Sequence, residues 1–260
     1  DSTYKKINLN NEYFDNVSFY FNDGVDFKFD KENKTFLISQ KNQHGRAYFI
    51  NGSIKDVLIK FDGKKNFFKE KKSNQYDYRT LTGCLSLIKL VTNNIKLISN
   101  NSNCEDGVNI INSRGKISEI TSNNSLYDGI DIDFSNLEIE NVNVKNSLND
   151  CIDFSGGHYK IVNSYLSNCG DKGISVGEKS LLEIYQTSIF YANTGIASKD
   201  SSKTIVDSSN IRETKDCLAA YKKKQEFNGG MILIKNSICR NFKNEKISDN
   251  FSLIQLNQEL

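Results

Sequence analysis

The sequence predicts an all-β protein: a right-handed parallel β-helix of about ten rungs with coils of ~22 residues. Three observations lead there: a fixed step along the middle of the chain, apolar/polar alternation in runs too short for helices, and frequent Asn, Ser, Gly and Asp between the runs. The step appears in Gly107-Val108-Asn109-Ile110, Gly129-Ile130-Asp131-Ile132, Cys151-Ile152-Asp153-Phe154, Gly173-Ile174-Ser175-Val176, Gly195-Ile196-Ala197-Ser198 and Cys217-Leu218-Ala219-Ala220, each 22 residues after the last. A unit this short cannot bury its own apolar face, so successive units must stack. Stacked parallel strands lie ~4.8 Å apart, which makes about ten rungs a rod roughly 48 Å long. The strict six-residue period of left-handed coils is absent, and 22 residues per turn suits three sides.

Taken in order, residues 1–80 repeat weakly and are expected to form irregular first rungs and a cap, with strand-like stretches at Val17–Phe21, 35–39 and 57–61. The Lys/Asn-rich stretch 64–75 reads as a loop thrown out of the coil. Residues 81–240 hold the regular repeats, so 1–240 reads as a single β-helix domain and 241–260 as a C-terminal cap or linker. A second track, Ile95, Ile117, Ile139 and Ile161, keeps the step and then drifts to Ile184 and Ile205. Just after it, Asn141, Asn163, Gln186, Asp207 and Asn236 are placed to stack as a polar ladder.

Composition narrows the function classes. The 260 residues carry 34 Lys+Arg against 32 Asp+Glu, a net charge of +2, without the basic excess of a nucleic-acid binder. No run approaches the ~18 apolar residues of a membrane-spanning helix, and 16 Phe with 12 Tyr exceed what a disordered chain carries. The chain opens Asp1-Ser2-Thr3, the expectation being a processed product or excised fragment whose signal peptide has gone. Six cysteines show no CxxC or metal-finger spacing. They are expected as buried, reduced core residues, although an even count permits disulfides in an oxidising compartment.

The repeats resemble the right-handed parallel β-helix proteins of the pectate-lyase-like superfamily, and more narrowly a bacterial group of them. The resemblance rests on Glu105-Asp106-Gly107-Val108-Asn109-Ile110, Asn149-Asp150-Cys151-Ile152-Asp153-Phe154-Ser155 and 170–180, and runs on through 198–202 and 219–224. It implies the fold, and a secreted or cell-envelope location in a bacterium or phage. Activity does not follow, since the superfamily spans lyases, hydrolases, epimerases, adhesins and tailspikes. The Asn-Thr-Asp, Gly-His-Gly and Arg-Ile-Lys set of polygalacturonases is absent. So is the Asp-Pro-His of alginate epimerases, because the chain has no proline. No catalytic residue is therefore carried over by motif.

Candidate site residues come from rung geometry instead. Alternation points Ile130, Ile132, Ile152, Phe154, Ile174 and Val176 inward, which turns Asn109/Ile111, Asp131/Asp133, Asp153/Ser155, Ser175/Gly177, Ala197/Lys199 and Ala219/Tyr221 to solvent. Small residues between charged walls suit a groove for an extended polymer. Asp131, Asp153, Lys172, Lys199 and Tyr221 are the candidate catalytic residues. Asn109, Ser155, Ser175, Lys179 and Lys222 are the candidate substrate contacts.

Asp131 and Asp153 fall one rung apart, with Asp133 two residues along, and like charges at that distance repel unless something compensates. A Ca²⁺ ion held by Asp131, Asp133 and Asp153 would do so. So would one retained proton, giving an acid/base pair, or neutralisation by Lys172 or Lys199. The plain alternative is a solvated acidic strip. Lysines or Tyr221 beside an acidic sugar would equally suit β-elimination.

The literal G-x-S-x-G at Gly173–Gly177 lacks the helix that a nucleophile elbow enters. Two histidines, His44 and His158, exclude a multi-histidine metal site. Two functions remain in view: binding, with or without cleavage, of an acidic polysaccharide or cell-surface glycan as a lyase or hydrolase, or service as a non-catalytic rod of the surface-layer, adhesin or tailspike kind. Either is compatible with a homo-oligomer.

Overall fold

The computed structural model describes residues 4–64, 76–77 and 79–257. Among them there is no helix, and the chain forms a β-solenoid of about ten turns with ~22-residue spacing. Three parallel ladders make its faces. The first stacks Gly83–Ile88, Asp106–Ile111, Asp128–Asp133 and Ile152–Ser155, then residues 174–177, 194–199 and 216–221. The second runs through Asn136–Ile139, His158–Val162, Leu181–Tyr185, Lys203–Asp207 and Met231–Lys235. The third includes Leu58–Asp62, Val142–Ser147 and the long strands whose far ends return to the first face, such as Ser164–Gly177.

Each ladder turns an apolar column inward. Ile130, Ile132, Ile152, Phe154, Ile174 and Val176 are at most 1% exposed, each burial contributing about 1.5–3 kcal/mol. On the second face Ile95, Ile117, Ile139, Ile161 and Ile184 stack in register, and the next inward residue is Val206, not Ile205. One extra residue in the 178–180 turn shifts the count, and period-two alternation then puts Ile205 outside.

The corners explain the wealth of Asn and Ser. Chain reversal at each corner needs a left-handed residue, which Asn tolerates better than most. Asn101, Asn124, Asn146 and Asn168 all have φ between 54° and 61°. Their side chains form the continuous polar ladder, Asn124 to Asn101 at 3.1 Å, Asn146 to Asn124 at 2.9 Å and Asn168 to Asn146 at 2.9 Å. Of the ladder expected at Asn141, Asn163, Gln186, Asp207 and Asn236, the last step forms, Asn236 donating to Asp207, whereas Asn141 donates to the Ser118 carbonyl. A serine ladder fills another corner, where Ser135 Oγ accepts from Ser113 N and Ser202 Oγ from Ser180 N. These hydroxyls satisfy amides that the turns leave unpaired.

The N-terminal end is closed by antiparallel strands. Lys5–Leu9 pairs with Val17–Phe21, which pairs with Ala47–Ile50, while Val25–Asp30 and Thr35–Gln40 form a hairpin. Their Phe14, Phe19, Phe36 and Phe49 form a plug, Phe19 lying 4.8 Å from both Phe36 and Phe49. Solenoid ends need such a cover. Residues 65–75 of the expected loop lie outside the described residues. At the other end the ladder runs on through Ile238–Ser248 and Leu253–Asn257.

The cysteines are not reduced. Cys84–Cys104, Cys151–Cys169 and Cys217–Cys239 are disulfides, closing loops of 20, 18 and 22 residues. One coil brings a residue back to its own neighbourhood, so cysteines about one step apart meet across the interior.

Candidate functional site

The outer side of the first face carries three columns. The floor is Ser86, Asn109, Asp131, Asp153, Ser175, Ala197 and Ala219, paired rung by rung. One wall holds Asp106, Asp128, Asp150 and Lys172, and the other Ile111, Asp133, Ser155, Gly177, Lys199 and Tyr221. Alternation and the 22-residue step dictate this placement.

The expected carboxylates and cations meet here. Lys199 Nζ lies 3.9 Å from Asp153 Oδ2 and within electrostatic reach of Asp171. Lys172 Nζ lies 3.4 Å from Asp150 Oδ1 and pairs closely with Asp171. Tyr221 is within electrostatic reach of Lys172. Asn109 Nδ2 donates to Asp131 Oδ2 at 3.1 Å.

Two expected contacts are not on the surface. Asn109 is 1% exposed and Ser175 0%. Gly83 packs against the Asn109 and Ser86 side chains, where a Cβ would come within 2.8 Å of Asn109 Cβ. Buried Arg46 pins that segment by donating to the Leu81, Thr82 and Gly83 carbonyls. Above Gly177, the Lys199 alkyl chain roofs the floor near Ser175. Lys179 and Lys222 stand apart on turns, their ammonium groups over the Phe227 and Phe251 rings. Ser155 is half-buried between Asp133 and Gly177.

The Asp106–Asp128–Asp150 column was missed, although its members directly precede the repeat positions Gly107, Gly129 and Cys151. Two of them have backbone work: Asp128 Oδ1 accepts from Asp150 N, and Asp150 Oδ1 from Lys172 N. Glu178 also acts on Asp133 electrostatically.

Crowding shows in the titration. Burial, then repulsion from Asp106, Asp133, Asp153 and Asp128, holds Asp131 well above the ordinary carboxyl range. Burial likewise raises Asp106, with Asp128 and Glu105 adding to it. Asp128 is pushed up to about 7, by burial and then Asp150. Asp133 rises to about 6 by burial and Asp153, and Asp150 to about 6 by burial with Lys172 opposing. Lys172 moves the other way: burial works against its charge, but Asp150 and Asp171 outweigh it and raise its pKa.

Among the described residues no group of three or more His, Cys, Asp or Glu side chains is placed to hold a metal ion. Ser175 is buried in a strand with no helix following, and His158 is exposed on the second face. No described helix is long and apolar enough to cross a membrane. The chain matches no protein-family model, and no curated protein is significantly similar to it.

Proposed function

We propose that the first face binds an acidic polysaccharide along the Asp131–Tyr221 columns and hydrolyses it. The observation that carries this reading is the Asp131/Asp153 pair, two carboxyls on adjacent rungs, one with its pKa raised by burial and neighbouring carboxyls and the other facing an ammonium. A rung step of ~4.8 Å is close to the roughly 5–5.5 Å between carboxyls in retaining glycosidases.

Asp131 gives its proton to the glycosidic oxygen as that bond breaks, and an Asp153 oxygen bonds to the anomeric carbon. Water then displaces Asp153 and returns a proton to Asp131. Lys172 is a poor base for β-elimination, because Asp150 and Asp171 keep it charged. Its part is to hold a sugar carboxylate, as is that of Lys199.

A face rich in carboxyls repels an anionic polymer when they are ionised. The raised values of Asp128, Asp133 and Asp150, from about 6 to about 7, leave them increasingly neutral below that range. Lys172 and Lys199 then dominate, so binding is favoured at mildly acidic pH. The three disulfides suit an oxidising compartment and support a secreted or envelope location.

A second reading, a rigid non-catalytic rod, draws on the same disulfides and on the closed floor at Asn109, Ser175 and Ala197. A panel of acidic polysaccharides, with and without calcium, separates the two. Reducing ends without the ultraviolet absorbance of unsaturated sugars support hydrolysis. Growth of that absorbance means elimination and contradicts the assigned roles. Neither product nor binding supports the rod.

A further inference from the structure

The corner between the first and second faces holds a feature the groove does not use. Its turning residues Asn51, Lys89, Asn112, Phe134 and Gly156 all have positive φ, from 49° to 64°. Asn and Gly adopt this conformation readily, whereas a bulky phenylalanine at φ 49° is an outlier held at a conformational cost. Burial does not offset it, since Phe134 is 60% exposed. The ring lies over Gly156, where a Cβ would come within 2.6 Å of Phe134 Cδ1, so the missing side chain there is what seats it. Strain at an exposed aromatic, without a packing return, points to use by something outside the chain.

Phe134 stands at one end of a cleft of about 560 Å³ that runs along this corner to the N-terminal cap. That volume lies within the roughly 300–1,000 Å³ of small-molecule sites. Lys89 and Arg114 line it, both exposed and neither in an ion pair among the described residues. The Asn112 and Asn136 amides in its wall are likewise uncommitted, and Asp15 is its one carboxylate. An open ring face, free amides and a pair of cations are together the recognition chemistry of a sugar bearing a negative group. The ring takes the apolar face, the amides take hydroxyls, and the cations take a carboxylate or sulfate.

We propose that this corner cleft is a second carbohydrate site, built on Phe134 and selective for an anionic sugar unit. It shares glycan chemistry with the groove but none of its residues, so the two readings fail separately. Tyr191 supplies an internal control. It too is left-handed, at φ 57°, and 60% exposed, but it occupies another corner and does not line this cleft.

The test is calorimetric titration with tetragalacturonate, and with cellotetraose as the neutral probe of equal length. In the whole chain, Phe134→Ala and the Lys89→Ala/Arg114→Ala pair are each expected to weaken one class of tetragalacturonate site at least tenfold. Tyr191→Ala and the groove variant Asp131→Asn leave that class unchanged, and cellotetraose binds at least tenfold more weakly. Phe134→Asn, which relieves the strain, is expected to lose the same binding while melting no lower than the wild type, so unfolding does not account for the loss. Wild-type affinity in Phe134→Ala, equal affinity for the neutral probe, or no tetragalacturonate binding by the wild type overturns the proposal.

Discussion

Lys199 spans two rungs to reach Asp153, its Nζ lying 3.9 Å from Oδ2, and Gly177 makes the reach possible. Lys199 pairs with Gly177's column while Asp153 sits on the floor column beside it, so any side chain at 177 stands in the way. A Cβ there already comes within 3.0 Å of Lys199 Cε. Gly177→Leu is therefore expected to reproduce the glycan-binding defect of Lys199→Ala, at a cost of about 1–3 kcal/mol for overpacking a buried position. Binding and thermal melts of the two variants side by side check it.

Stability should fall as pH rises from about 4 to about 7. A carboxyl raised in the fold holds its proton more tightly folded than unfolded. Its stabilisation is full below its ordinary value of 3.8 and is lost as pH rises through the folded value, about 7 for Asp128 and about 6 for Asp133 and Asp150. The melting temperature at pH 5 should exceed that at pH 8, and Asp128→Asn should narrow the gap. A flat or rising profile refutes the crowding of these carboxyls.

Removing the buried Cys151–Cys169 crosslink by paired alanine substitution should cost about 2–4 kcal/mol, the usual range for a loop of this length. Urea denaturation with and without reductant measures it. If reductant leaves the midpoint unmoved, the bond is absent from the protein in solution.

At the corner ladder, Asn146→Ala removes hydrogen bonds to Asn124 and Asn168 and replaces a residue that tolerates φ 61° with one that does not. The loss should be about 2 kcal/mol, against about 1 for Asn146→Gly, which keeps the backbone preference. Equal losses for both would mean that the conformation at this corner contributes nothing.

Much of the solenoid was legible because its signals are local and periodic. Ile130, Ile152 and Ile174 recur at one step, and alternation alone gives their facing. The drift at Ile205 was not resolved, because a one-residue turn insertion is invisible without the register that puts Val206 inside. The meeting of Asp131, Asp153 and Lys199 followed from rung arithmetic. The burial of Asn109 did not, since it depends on where Gly83 passes after an irregular segment. The cysteines read as reduced for a related reason: spacing of about one coil suits packing as well as bonding, and only the paths of Cys84 and Cys104 show that they meet.

The most direct test of the central claim is titration at pH 5 of wild type and Lys199→Ala with polygalacturonate oligomers long enough to span the first face. The proposal predicts wild-type binding that weakens toward pH 8, and at least tenfold weaker binding at pH 5 by the variant, with both proteins fully folded at the titration temperature. Equal binding by both proteins, or none by the wild type across acidic glycans, would contradict it and leave the face a structural wall.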